Sequence, residues 1–236
     1  MATFNQIVQD LKRAASKKNA KIAMWFFKTK KGQYGYGDKF LGVRGPQQRE
    51  VAKKYYQQTS LVEAQKLLNS PLHEHRQTAL FILVNKFSKS RPNEQKQIYQ
   101  LYLKNTKRIN NWDLVDCSAP HVVGAYLFDK NREILYRLAK SKNLWEKRIA
   151  ILSTFYFIRH NDFKDTLAIA KILLTDPHDL IHKAVGWMLR EVGNYHRPTE
   201  EKFLKQYGAR LPRTALRYAI EKFPEKLRQY YLKTTR

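Results

Sequence analysis

The sequence is poor in cysteine and in long apolar runs. Its one cysteine, Cys117, can form neither an intramolecular disulfide nor a zinc site alone, which fits a reducing compartment and a role as a small buried side chain. Apolar runs such as residues 79–84 are far shorter than the roughly 20 residues that a membrane-spanning helix needs. Residues 1–18 lack the apolar centre of a signal peptide. These absences predict a cytoplasmic protein with no membrane partner.

Acidic residues are also scarce, at 20 Asp and Glu against 45 Lys and Arg, and the formal net charge is +25. An excess of this size on a folded protein predicts a polyanionic partner, with nucleic acid favoured over an acidic membrane surface. Counterion release should make such binding weaken steeply as salt rises. The 43% of hydrophobic and 13% of aromatic residues indicate a chain that folds.

Motifs for metals and cofactors are missing as well. Of the seven histidines, His178 and His182 have a spacing seen among metal ligands, and this pair alone supplies too few ligands for a metal site. His121 and His182 have no neighbours that would make a catalytic triad. Neither a dinucleotide fingerprint nor a P-loop occurs. We therefore expect no metal and no cofactor.

Helical periodicity is what the sequence does contain. Residues 63–87 and 163–193 place apolar side chains at spacings of three and four, and nothing comparable supports strands. Five prolines fall where one helix should stop or the next should start: Pro71, Pro92, Pro177, Pro198 and Pro212. The pattern predicts an all-α chain of about a dozen helices.

Four segments of the sequence resemble one another, each with a basic residue shortly before an alanine and then an aliphatic stripe. They are residues 75–84, 146–155, 182–191 and 212–221, with the alanines at 79, 150, 184 and 215. If the first interval contains one degenerate unit, the period is about 31 to 36 residues, in the range of helical-hairpin repeats. We predict a single domain over residues 1–236, built as a curved solenoid; a helical bundle with coincidental similarity is the alternative.

Two further basic features suit a nucleic-acid partner. The concave face of such a solenoid would carry positive charge from the repeated helices, through Lys147, Arg148, Lys183, Arg213 and Arg217. Residues 28–46 hold five of the nine glycines, with Tyr and Lys between them. Such a loop can approach a sugar-phosphate backbone closely, or it can be a flexible connection between the first helices.

The segment at residues 110–116, "NNWDLVD", combines an aromatic residue with two acids. In a helical turn, Trp112 and Asp116 stand four apart on one face, and Asp113 favours the helix dipole from the first turn. Asp116 lies near the helix end, where an acid is electrostatically unfavourable. If Asp116 has no functional role, it can instead cap the next helix, which Pro120 should open.

Three ordered segments of the chain resemble the AlkD family of DNA alkylation-repair glycosylases, which are built from HEAT-like repeats. They are "NNWDLVD", "LWEKRIAIL" and "HKAVGWMLRE", at residues 110–116, 144–152 and 182–191. The resemblance implies that Asp116 is the catalytic carboxylate and that Trp112 is one wall of the lesion site. It also makes Arg148 a contact to the DNA backbone and Trp187 the second lesion-site tryptophan. Trp145 is expected in the core.

The opening segment departs from the family pattern, because no unambiguous aromatic counterpart exists among Trp25, Phe26 and Phe27. The implied activity is that of a monofunctional glycosylase for cationic alkylpurines, of the 3-methyladenine and 7-methylguanine type, acting in base excision repair on the lesion while it stays in duplex DNA. A cationic base is already a good leaving group, so one carboxylate that stabilises the developing sugar cation is enough. The alternative is a non-enzymatic binder of branched or damaged DNA or of structured RNA. A monomer suffices for either function.

Overall fold

The computed structural model describes residues 3–234, and the regular secondary structure of this part of the chain is helical. It contains fourteen α-helices: α1 Phe4–Arg13, α2 Lys17–Phe26, α3 Gly45–Tyr55, α4 Leu61–Leu68, α5 His73–Phe87, α6 Pro92–Lys104, α7 Trp112–Asp116, α8 Ala125–Leu127, α9 Glu133–Ala139, α10 Leu144–Ile158, α11 Lys164–Ile172, α12 Asp179–Tyr207, α13 Arg213–Ala219 and α14 Glu225–Thr234. A π-helix, Pro120–Gly124, joins α7 to α8. Residues 3–234 form no strand, and their one β-bridge pairs Lys39 with Leu72. The all-α prediction is confirmed.

The chain divides into two compact units, with the boundary between Val122 and Val123. In the first unit, α5 packs against α3, α4, α6 and α7. In the second, α10 packs against α8, α9, α11 and α12, and α12 packs against α13. Most helices thus contact their first or second neighbours along the chain, as stacked helical repeats do, and α1 also contacts α4 and α5. The assignment of residues 1–236 to a single domain stays a prediction, and its first two and last two residues lie outside the described part.

The four alanines of the sequence repeat, at 79, 150, 184 and 215, are all fully buried. They lie in α5, α10, α12 and α13. Small residues at these helix contacts let the backbones approach closely. Gly186 is the clearest case, because a Cβ placed there would lie 2.3 Å from the carbonyl oxygen of Ala215 in α13. The repeated sequence pattern therefore marks positions of close helix packing.

The prolines fall at helix boundaries, with one partial exception. Pro71 and Pro177 lie between helices, Pro92 opens α6 and Pro212 is the N-cap of α13. Pro198 lies inside α12, where the backbone of His196 leaves the helical region at φ −151° and ψ 85°. Proline lacks an N–H and its ring crowds the preceding turn, so α12 is interrupted there and a second helical segment follows.

The glycine-rich loop runs between α2 and α3 and ends at Arg44, because Gly45 and Pro46 already form the first turn of α3. It is tied to α5 by Glu74, whose buried carboxylate accepts N–H bonds from Leu41, Gly42 and Val43 at 2.9, 2.7 and 3.3 Å. Gly42 has φ +80°, and a Cβ there would lie 2.1 Å from the Ser16 carbonyl oxygen. Glycine is required at this position, and this end of the loop is a fixed connection.

None of the helices in the described part combines the length and the apolarity that a membrane span needs.

Candidate functional site

Helix α7 places Trp112 and Asp116 one turn apart, as the sequence predicts. Asn111 caps the helix, since its side-chain oxygen accepts the Trp112 N–H at 2.9 Å. Five residues are too few for a stable isolated helix, so packing of the buried Leu114 and Val115 must hold it in place. Trp112 and Asp116 are both half-buried.

Asp113 is built into a network of buried side chains. It lies in the first turn of α7, as predicted, and its carboxylate also accepts hydrogen bonds from His73 Nε2 and Gln77 Nε2, both at 2.8 Å. The other ring nitrogen of His73 contacts Asp38 at 3.2 Å, and Arg76 pairs with Asp38 at 2.7 Å. This network connects the glycine-rich loop, α5 and α7.

The ionisation of His73 follows from these contacts. Burial alone disfavours the charged imidazole, but the carboxylates of Asp113 and Asp38 outweigh it and raise the pKa of His73 to about 9. The pKa of Asp38 is lowered, because His73 and Arg76 together overcome the effect of its own burial. His73 is therefore an imidazolium at neutral pH, paired with carboxylates on both sides.

An aromatic cluster surrounds Trp112. The rings of Phe27 and Phe26 lie 5.5 and 5.8 Å from the Trp112 ring, and Phe40 stacks between Phe27 and His73 at 5.3 and 4.7 Å. These five rings line a pocket of about 500 Å³, to which Asp113 also contributes. Rings in such a pocket can contact a flat or cationic base. The sequence motif indicated Trp112 alone. The aromatic residues Trp25, Phe26 and Phe27 were the only sequence indication of its neighbours, and the sequence did not show which of them contact it.

A second pocket, of about 360 Å³, lies where α3, α5 and the residues after α7 meet. Three cations line it, Arg49, Lys53 and Lys89, and the Arg49 guanidinium lies 4.1 Å above the ring of Phe81. Within residues 3–234, none of the three makes an ion pair with a carboxylate. Phosphate groups would neutralise this charge. The sequence did not indicate this pocket, because Lys89, in the turn after α5, is distant along the chain from Arg49 and Lys53 of α3.

Cys117 and His121 also line this basic pocket. Burial, reinforced by the charge of Asp113, raises the pKa of the Cys117 thiol above its usual range. The thiol is therefore protonated and unreactive, and it donates to the Leu114 carbonyl oxygen at 3.4 Å. His121 is exposed at the start of the π-helix. His182, in the second unit, contacts the Asp176 carbonyl oxygen through Nε2 at 2.5 Å.

Arg148 and Trp187 lie in the second unit, in α10 and α12. Arg148 is only 5% exposed, and its Nη1 donates to the Leu180 carbonyl oxygen at 2.5 Å. Trp187 is half-buried; its indole N–H donates to Glu191 at 2.9 Å and its ring lies 5.9 Å from that of Phe155. Trp145 is buried, as expected. The structure thus links Arg148 to the first turn of the helix that carries Trp187.

Across residues 3–234, no three His, Cys, Asp or Glu side chains form a group that could hold a metal ion.

A sequence model of the DNA alkylation repair enzyme family matches residues 7–223 of the chain. Among solved structures, a predicted DNA alkylation repair enzyme from Enterococcus faecalis is similar with a TM-score of 0.69. The similarity covers 89% of this chain and 97% of that chain at 15% sequence identity, which shows a shared fold. Comparison with curated protein sequences finds no match.

Proposed function

The chain belongs to the DNA alkylation repair enzyme family, and on that premise we propose that it is a monofunctional DNA glycosylase for cationic alkylpurines. Its substrates are duplex DNA carrying lesions of the 3-methyladenine and 7-methylguanine type, and it hydrolyses the bond between base and deoxyribose during base excision repair. It acts as a monomer on DNA in the cytoplasm and needs no cofactor.

The observation that carries the proposal is the different placement of the two carboxylates of α7. Asp113 is engaged by His73 and Gln77 in the buried network. Asp116 ends the helix, half-buried and one turn from Trp112. An acid at a helix C-terminus opposes the helix dipole, and it also repels DNA phosphates. Stabilisation of a cation that forms during the reaction explains an acid at this position.

The chemistry needs only one carboxylate. Alkylation at purine N3 or N7 makes the base cationic, so the base leaves without protonation by a general acid. Positive charge then develops on the deoxyribose, where the fixed negative charge of Asp116 stabilises it and can orient the attacking water. Low solvent exposure strengthens this interaction, since charges attract more strongly when they are partly removed from water.

The remaining residues contribute binding. Trp112 and Trp187 are assigned to the lesion and its sugar, and each well-placed contact between a cation and an aromatic face is worth about 0.5 to 2 kcal/mol. Arg148 is assigned to a DNA phosphate. Its Nη1 donates to the Leu180 carbonyl oxygen, so the guanidinium lies at the first turn of α12. In the first unit, the rings of Phe26 and Phe27 contact Trp112 and belong to the same binding surface.

The test is the release of free base from DNA treated with a methylating agent, measured under single-turnover conditions at low salt. We expect release by the wild type and a loss of at least 100-fold in Asp116→Asn, in the range seen when a group that stabilises transition-state charge is removed. The matched control is Asp129→Asn, because Asp129 is an exposed acid that pairs with the neighbouring Lys130. This control should retain the wild-type rate.

An undiminished rate in Asp116→Asn would refute the catalytic assignment. No release by either protein, together with tight and salt-sensitive binding of branched or damaged DNA or of structured RNA, would instead identify a non-enzymatic nucleic-acid binder.

A further inference from the structure

Helix α2 exposes the apolar side chains that helices usually bury. None of its ten residues is buried. Ile22, Met24, Trp25 and Phe26 are exposed by 54, 45, 76 and 52%. Most of the stability of a short helix comes from packing of an apolar face, so a helix of this kind indicates a surface that another molecule covers.

The charge around α2 identifies the chemistry of that molecule. From residue 11 to residue 37 the sequence contains no Asp or Glu, whereas it contains eight cations: Lys12, Arg13, Lys17, Lys18, Lys21, Lys28, Lys30 and Lys31. Within the described residues, only Arg13 of these makes an ion pair, with Asp10. The other seven positive charges are available to a polyanion.

The helix presents two different faces. Ile22 and Phe26 face the pocket of Trp112. On the other face, an open hollow of about 650 Å³ is lined by what we name the outer α2 surface: Lys21, Met24, Trp25, Lys28, Thr29, Lys30 and Gln33. Phe26 reaches both faces. A strand bound at Trp112 therefore has a basic, aromatic surface directly beside it.

The turn that carries these lysines is ordered. Lys28 adopts the left-handed conformation, at φ +52°, and its N–H donates to the Trp25 carbonyl oxygen at 3.2 Å. Thr29 donates to the Met24 carbonyl oxygen through both its N–H and its hydroxyl, at 3.2 and 3.1 Å. Gly35 N–H closes the turn on the Lys28 carbonyl oxygen at 3.2 Å. The cations are thus held around Trp25 before any ligand binds, which lowers the entropy cost of binding.

We propose that the outer α2 surface binds an unpaired nucleotide of DNA, with its base stacked on Trp25 and its flanking phosphates paired with Lys21, Lys28 and Lys30. Aromatic rings set in a positive groove bind single-stranded segments in this way, and the stacking tolerates any base. DNA is favoured over an anionic membrane because α2 also forms a wall of the Trp112 pocket, which a membrane lying on the helix would cover. The inference rests on the proposed function only for the choice of DNA.

The experiment compares two undamaged DNAs by fluorescence anisotropy, an intact duplex and the same duplex with a short single-stranded gap. We expect the wild type to prefer the gapped DNA. Trp25→Ala should lose about tenfold in affinity for gapped DNA, the effect of removing one stacked base, and little for the duplex. Trp25→Tyr should restore most of the loss. Val62→Ala, which truncates another highly exposed apolar side chain, is the control and should match the wild type.

Three outcomes would overturn the inference. The first is that the wild type binds the two DNAs with equal affinity, and the second is that Trp25→Ala loses the same affinity for both. The third is that Trp25→Ala keeps its affinity for DNA but loses binding to phosphatidylserine vesicles, which would assign the surface to membranes. Single-turnover base release at saturating protein separates this inference from the proposed function. If wild type releases no base but its preference for gapped DNA depends on Trp25, the glycosylase proposal fails and this inference stands.

Discussion

Two carboxylates three residues apart in α7 have different surroundings, and this difference separates a structural acid from a candidate catalytic one. The partners of Asp113 are His73 and Gln77, about 40 residues earlier in the chain. A buried charge whose partner is removed loses its compensation, so such networks are sensitive to the loss of one member. Asp116 ends the same helix beside the residues that line the basic pocket.

We therefore predict opposite consequences for the two substitutions. Asp113→Asn should lower the free energy of unfolding by about 2 kcal/mol, because it leaves the buried His73 imidazolium with one carboxylate in place of two. Asp116→Asn should lower it by less, because the substitution also removes a negative charge that the dipole at the C-terminus of α7 disfavours. Urea unfolding at pH 7 measures both. If the two variants were destabilised equally, the division of roles within α7 would be wrong.

At the scale of elements, the glycine-rich loop depends on one residue of α5. Glu74 is buried and accepts three consecutive backbone N–H groups, from residues 41–43. Those groups have no water to bond with when they are buried, so the carboxylate compensates for their desolvation. The loop in turn supplies Phe40 to the aromatic cluster and Asp38 to the His73 network. A single buried acid thus positions one side of the Trp112 pocket.

Removal of that acid should loosen the loop before it unfolds the protein. In Glu74→Ala we expect at least tenfold faster hydrogen exchange at the amides of residues 41–43 and a loss of about 2 to 4 kcal/mol in the free energy of unfolding. Exchange followed by mass spectrometry measures the first effect. Glu63→Ala is a suitable control, since the carboxylate of Glu63 accepts a single amide bond, from Phe4. Unchanged protection at residues 41–43 would show that other contacts hold the loop.

At the scale of the whole molecule, two buried groups couple stability to pH. Interactions with Asp113 and Asp38 raise the pKa of His73 to about 9, and burial raises the pKa of Glu200 to about 9. The His73 contribution is complete below about pH 6.5 and is lost as the pH rises through 9. Glu200 keeps its proton in the folded state, whereas the unfolded chain releases it above about pH 4.5. Folding therefore becomes less favourable as the pH rises from about 4.5 to 9, which includes the interval in which the His73 contribution is lost.

Both effects have the same sign, and we predict that the free energy of unfolding decreases by at least about 1 kcal/mol per pH unit between pH 7 and 9. Urea unfolding at pH 6, 7, 8 and 9 measures the slope. Glu200→Gln should make the slope shallower and stabilise the protein at pH 8, because glutamine does not ionise in the unfolded chain. A flat profile would contradict both assignments.

The sequence by itself determined the helical class, because the spacing of apolar residues and the positions of proline act within a few residues of the chain. It also located the four alanines of close packing and the motifs that mark the family. Net charge, a sum over residues, indicated a polyanionic partner without any structure.

Only the tertiary structure decided what surrounds each of those residues. It placed Phe26 and Phe27 against Trp112, gave Asp113 its partner His73 and showed that Arg148 is buried against Leu180. These contacts join residues from about 30 to more than 80 positions apart, so no local pattern encodes them. The ionisation and exposure of a side chain depend on such distant neighbours, which is why the sequence could propose site residues but could not describe their surroundings.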